Sequence, residues 1–260
     1  MKIDNIHLVY YSATYTSQRI GREIASTIDN TFSELDTTMH TPSNKIALQP
    51  CDLLIMVMPV FGGLIPSEAA ERLNMVHGAN TPAIIVAVYG NRHYDNALCQ
   101  MQEIATRQGF HPVSAGAFIA RHSIFTTIAS NRPDSADIAK IRSFAIQSAD
   151  IIARYDNFPT LDLPGKPDAV FKKSGLYPTG DDSCTTCGTC VDLCPMNAIS
   201  LENPQITNAE LCTACGRCLV VCPNNSRAFR GELYDTWMAR FESNFTTRRE
   251  PEVFFPDFGI

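Results

Sequence analysis

No apolar run in this chain approaches the roughly 20 residues that a helix needs to cross a bilayer. The longest, Cys51–Val60 and Pro82–Tyr89, fall well short. The opening Met1-Lys2-Ile3-Asp4-Asn5 leads directly into strand-like sequence and lacks the apolar h-region of a secretory signal. Positive charge is also scarce: 21 Lys and Arg face 27 Asp and Glu, a net charge of −6. That balance argues against non-specific nucleic-acid binding. No G-x-G-x-x-G occurs, so no dinucleotide fingerprint is present. The six histidines, His7, His40, His77, His93, His111 and His122, show no ligand spacing. The expected setting is the cytoplasm, with no membrane insertion and no nucleic-acid partner, while the oligomeric state is not legible.

What is present suits an ordinary globular chain. It has 260 residues, 45% hydrophobic and 18% charged, enough for one medium domain plus a small one. Cysteine is the unusual component. Eight of the ten lie between Cys184 and Cys222, and only Cys51 and Cys99 lie outside. Disulfides are rare in a reducing cytosol, so such a cluster of thiols points to metal or redox chemistry. Cys51 and Cys99 sit in apolar surroundings and are expected to have no function.

Residues 1–154 alternate short apolar runs with helical periodicity. Ile6–Tyr11, Asp52–Met58, Ala83–Tyr89 and His111–Ile119 read as strands, with a weaker one at Thr31–Thr37. Helices are expected at Ser17–Ile28, with Ile20, Ile24 and Ile28 on one face, at Pro66–Val76 and at Asp95–Gln108. A last helix follows Asn131-Arg132-Pro133-Asp134, with Ile138, Ile141, Ala145 and Ile152 at helical spacing. Strands alternating with helices indicate an α/β, doubly wound, five-stranded parallel sheet. Ligands of such sheets bind beyond the carboxyl ends of the strands, here in the loops after Tyr11, Met58 and Tyr89. A Pro/Gly-rich linker is expected over 155–179, a cysteine domain over 180–230, and a C-terminal helix and tail over 231–260.

The cysteine domain repeats one motif. Cys184-x2-Cys187-x2-Cys190-x3-Cys194-Pro195 is followed by Cys212-x2-Cys215-x2-Cys218-x3-Cys222-Pro223. This is the bacterial ferredoxin run, in which the fourth cysteine ligates the other cluster. The spacing therefore assigns Cys184, Cys187, Cys190 and Cys222 to one [4Fe–4S] cluster. Cys212, Cys215, Cys218 and Cys194 go to the second. Gly188 and Gly216 would let the backbone pass close to inorganic sulfide. Two zinc sites are the competing reading, but zinc ribbons pair C-x2-C knuckles and do not repeat a four-cysteine run ending in Cys-Pro.

Between the first strand and its helix lies Ser12-Ala13-Thr14-Tyr15-Thr16-Ser17. Hydroxyls at a helix N-terminus make a neutral phosphate cradle, although the same residues also serve as ordinary N-caps. The loop is similar to the flavodoxin phosphate loop, Ser/Thr-x-Thr-Gly-x-Thr. The segments Pro59-Val60-Phe61-Gly62-Gly63 and Gly90-Asn91-Arg92-His93-Tyr94 resemble its flavin-ring loops. With the cysteine domain, nearly the whole chain resembles the flavodoxin–ferredoxin fusion family of bacteria and archaea.

That resemblance implies a flavodoxin-like sheet followed by a small α+β two-cluster ferredoxin-like domain. Its cofactors would be FMN and two [4Fe–4S] clusters, and its partners redox proteins. Ser12, Thr14, Thr16 and Ser17 would hold the phosphate. Pro59, Val60, Phe61, Gly62, Gly63, Gly90, Asn91, Arg92 and Tyr94 would flank the ring. Tyr15 stands where the family has glycine, so the loop is expected to avoid the left-handed conformation. Arg92, unless paired with Asp95, would favour the anion of reduced flavin by Coulomb attraction.

The expected function is an electron carrier passing single electrons between clusters, flavin and protein partners. The alternative is a flavin-dependent reductase of a small substrate, fed by the clusters and using Arg92, His93 or His122. Protein purified without oxygen is expected to contain about eight irons per chain with matching acid-labile sulfide. A colourless product containing zinc and no sulfide would overturn the cluster reading.

Overall fold

The computed structural model describes residues 1–166, 169–170 and 173–259; Pro167 of the expected linker and Ile260 of the tail lie outside them. The elements run β1 (Asn5–Tyr10), α1 (Thr16–Ile28), β2 (Ser33–Asp36), β3 (Ile46–Ala47), β4 (Asp52–Pro59) and α2 (Ser67–Leu73). Then come β5 (Val76–His77), β6 (Thr81–Tyr89), α3 (Ala97–Arg107), β7 (Phe110–Ile119) and α4 (Ser135–Arg154). The cysteine segment contributes β8 (Pro178–Thr179), α5 (Thr189–Asp192), α6 (Arg217–Val220) and β9 (Ala228–Phe229). The tail adds α7 (Glu232–Asn244) and β10 (Glu252–Phe254).

The main sheet has the order β10-β7-β6-β4-β1-β2. Its five parallel strands follow the flavodoxin-like order, second, first, third, fourth and fifth. The two central strands, β4 and β6, are buried along almost their whole length, as a sheet covered on both faces requires. On one face Ile20 and Ile24 of α1 pack with Ile141, Phe144 and Ile152 of α4. On the other, Ala69 and Leu73 of α2 join Leu98, Met101 and Ile104 of α3.

The sheet departs from expectation in one respect. A sixth strand, β10, pairs antiparallel with β7, Glu252 opposite Ala117 and Phe254 opposite Ala115. It covers an edge that would otherwise expose unpaired backbone groups. The α2 helix is also shorter than periodicity suggested. It stops at Leu73, and Val76 and His77 instead pair with Ile46 and Ala47.

The α4 N-terminus carries a capping box in which Asp134 accepts from the N–H groups of Ala136 and Asp137, and Asp137 accepts from that of Asp134. Asp137 also pairs with the buried guanidinium of Arg132, whose Nη1 donates to Arg249 O in the tail at 3.2 Å. Arg132 and Asp137 are both buried, so breaking the pair leaves Arg132 with only the more distant Asp134, 3.9 Å away. Asp137→Asn is expected to cost about 3–5 kcal/mol in urea unfolding. A loss within about 0.5 kcal/mol, typical of surface changes, would show that the pair contributes no stability.

Candidate functional site

The first loop forms because β1 ends at Tyr10 and α1 begins at Thr16. Tyr15, the N-cap of α1, adopts φ 64. The expectation that tyrosine would keep this loop out of the left-handed region is therefore wrong. A non-glycine residue there is strained, and the fold holds it with a neighbour from far along the chain. The Arg217 guanidinium lies 4.5 Å from the Tyr15 ring centroid, a cation–π contact, and Arg217 Nη1 donates to Ala13 O at 3.3 Å.

A cleft opens beyond the strand ends between this loop and the loops after β4, β6 and β7. Ala13, Thr14, Thr16 and Ser17 line it, with Pro59, Val60, Phe61, Gly90, His122 and Cys215. It widens into a cavity of about 470 Å³ bordered also by Gly62, Gly63, Arg92, Lys173, Trp237 and Arg240. No carboxylate is among the described residues lining either part.

Three residues expected here are turned elsewhere. Ser12 Oγ accepts the Gln18 N–H at 3.0 Å, which makes it an internal brace. Asn91 donates to Phe245 O and Thr247 O, at 2.6 and 2.9 Å, and so holds the tail. Tyr94 is buried, stacked on His93, with its hydroxyl donating to Glu252 at 2.7 Å. Arg92 reaches the cavity already paired with Asp95, so much of its charge is offset.

An anion would fit the narrow end. Ser17 Oγ is fully buried and has no hydrogen-bond partner; it lies in the first turn of α1, where Ser12 Oγ already takes the Gln18 N–H but the positive end of the helix dipole still favours a negative group. Leaving such a hydroxyl unsatisfied costs about 1–3 kcal/mol, which a phosphate oxygen at this place would relieve. The sequence motif showed no cation in this loop. Arg217, 7% exposed, brings one from the second cysteine run, where the first run has Thr189 in the same position. That difference was the only signal available in the sequence.

The eight clustered cysteines fall into two groups in space. Cys184, Cys187, Cys190 and Cys222 surround one cavity; Cys194, Cys212, Cys215 and Cys218 surround another. Among the described residues no three His, Cys, Asp or Glu side chains converge as a single metal ion would require. Backbone N–H groups already point at sulfur, Ala198 to Cys194 Sγ at 3.2 Å and Ser226 to Cys222 Sγ at 3.3 Å. Burial pushes the Cys218 thiol up to about 12 and Cys215 higher still. Such thiols give up their protons only to a strong counter-charge, as metal binding provides. Cys51 and Cys99 are partly exposed and belong to neither group.

The second quartet is seated on the sheet. Thr213 Oγ1 donates to buried Glu68 at 3.1 Å, Arg72 Nη2 donates to Pro195 O at 3.1 Å, and Arg217 reaches Ala13. Gly216 lies so close that a Cβ would meet Ser123 O at 3.1 Å, and its φ of 79 independently favours glycine. Cys215 thus forms part of the cleft wall beside Thr14 and Phe61. The first quartet lies outward, with Cys187 exposed.

Residues 183–226 match the family model described as a 4Fe-4S dicluster domain. The chain joins a flavodoxin-like fold to a 4Fe–4S dicluster segment. Similar solved structures include an apo NADH:FMN oxidoreductase, 11% identical, covering 59% of this chain and 91% of its own, with a TM-score of 0.44. A Streptococcus pneumoniae TIGR4 flavodoxin and flavodoxin 2 from Bacillus cereus are each 15% identical, covering 56% of this chain and 99% of theirs, both with a TM-score of 0.39. No curated protein matches the chain. Among the described residues of this flavodoxin-like and dicluster chain, no helix is long and apolar enough to cross a membrane.

His122 borders both parts of the cleft. Its Nδ1 accepts from the N–H groups of Ile124 and Phe125, both at 3.1 Å, so the neutral ring carries its proton on Nε2. Burial first, and then the Arg92 charge, push its pKa down to about 4. An unfolded histidine takes its proton near about 6.5. Stability from this group is therefore complete above that pH and is lost as pH falls toward about 4. Ring nitrogen NMR is expected to show neutral His122 down to pH of about 5; a midpoint near about 6.5 would overturn this.

Proposed function

We propose that this protein is an electron carrier, passing single electrons between two [4Fe–4S] clusters, one bound FMN and redox partner proteins. The observation that carries the reading is Cys215, which lines the same cleft as Thr14, Thr16, Ser17 and Phe61. A thiolate that holds a cluster would then also wall the flavin site.

In this reading Cys212, Cys215, Cys218 and Cys194 hold an inner cluster against the sheet, and Cys184, Cys187, Cys190 and Cys222 hold an outer one. FMN, when bound, supplies the exchange between two-electron and one-electron chemistry. Thr14, Thr16 and Ser17 donate to its phosphate, and Arg217 supplies positive charge beside them. Phe61, Gly62 and Gly90 border the space for the ring, and Trp237 and Phe241 of α7 exclude water from it. The exposed edge at Cys187 is the place where a partner protein exchanges electrons.

The 470 Å³ cavity favours a second reading. Lys173 and Arg240, with Arg92 partly offset by Asp95, line it without a lining carboxylate among the described residues, an arrangement suited to a small anionic substrate of a flavin-dependent reductase. Flash reduction of the fully loaded protein separates the possibilities. With a carrier, cluster bleaching recovers as flavin is reduced, at a rate independent of protein concentration. A rate proportional to concentration would show that cluster and flavin are not in contact within one chain. Steady turnover of a small anion without any protein acceptor would favour the reductase.

A further inference from the structure

The two cysteine runs correspond position by position, and the backbone keeps the correspondence. Thr186 and Ala214, Gly188 and Gly216, and Asn197 and Asn225 all have positive φ, at 53 and 56, 79 and 79, and 50 and 52. Ala198 and Ser226 make matching bonds to the fourth sulfur of each run. One residue further on, the match fails. Ile199, 5% exposed, belongs to an apolar cluster with Cys190 and Cys218, whereas its counterpart is Arg227, 3% exposed.

Arg227 is a buried cation whose partners are all neutral. Nη1 donates to Pro204 O and Gln205 O at 2.5 and 3.2 Å; Nη2 donates to Pro178 O at 2.8 Å and to Thr207 Oγ1; Nε has no partner. Among the described residues its hydrogen bonds all go to neutral oxygens. A buried charge without an opposite charge is costly, and Ile199 shows that this position accepts an apolar residue. Arg227 lines the cavity of the first quartet. Its Nη2 partners, Pro178 and Thr207, line the cavity of the second. The missing counter-charge therefore lies on both sides of it.

We propose that Arg227 is the shared counter-ion of two thiolate-bound iron–sulfur clusters, one in each quartet, and that it raises the reduction potential of both. This rests on the cluster reading above. A thiolate-ligated cluster is anionic overall, and adding one electron without a proton deepens the negative charge beside the guanidinium. A fixed cation therefore favours the reduced form. Its four neutral hydrogen bonds hold it in place between the two sites.

The test is an anaerobic titration with dithionite of the full, cluster-loaded chain, followed by electron paramagnetic resonance, with iron and sulfide measured on each sample. Arg227→Gln removes the charge, Arg227→Ile restores the symmetry with Ile199, and Arg227→Lys keeps the charge. In the Gln and Ile variants, both clusters are expected to become harder to reduce by about tenfold or more, about 59 mV for each factor of ten in a one-electron couple. The Lys variant is expected to stay near the wild type. Cluster loss in the Gln and Ile variants with retention in Lys would also support the proposal, because assembly would then require the charge. Unchanged midpoints, a shift confined to one cluster, or cluster loss in all three variants would overturn it. Wild-type protein without iron and sulfide would instead defeat the cluster reading itself.

Discussion

The close seating of the inner cysteine quartet on the carboxyl ends of the parallel strands is the constraint from which the rest of the architecture follows. The seam is polar and buried. Glu68 accepts from Thr213 and from Tyr11, Arg72 donates to Pro195 O and to Thr37 O, and Arg217 donates to Ala13 O. Each of these groups would be unsatisfied if the two parts separated without water replacing the partner. The two parts are thus packed on one another and are not merely joined by a linker. Gly216 permits the approach, because a side chain there would run into the Ser123 carbonyl. Once it is seated, one wall of the cleft is a cysteine.

Around that cleft the electrostatics are one-sided. Arg217 approaches the first loop, and Arg92, Lys173 and Arg240 border the wider cavity, with no lining carboxylate among the described residues. Asp95 tempers this by pairing with Arg92. The aromatic side chains of α7 close the open side: Phe241 packs on Phe125 with ring centroids 4.3 Å apart, and Trp237 lies beside it. Low polarity strengthens the field of the remaining cations.

Much of this was legible in the sequence, for identifiable reasons. The β4 and β6 runs could be read because strands buried on both faces need continuous apolar sequence. The cysteine spacing could be read because metal chemistry fixes it; the eight thiols line two cavities, four to each. β10 was not legible, since three residues that include Glu252 carry no usable period. Nor was the left-handed Tyr15, which depends on a guanidinium some two hundred positions away. Ser12, Asn91 and Tyr94 have suitable chemistry for the cleft, but the fold uses them to brace a turn, hold the tail and fill the core. Motif and composition do not reveal which way a side chain turns.

The sixth strand also bears on how the molecule comes into being. Among the described residues, the outer edge of β7 pairs only with Glu252–Phe254, so during translation the sheet stays open on that side until the whole cysteine segment has left the ribosome. Emergence of the cysteine segment therefore precedes sheet closure. A nascent chain stalled between them would present a bare strand to its neighbours, a known route to aggregation.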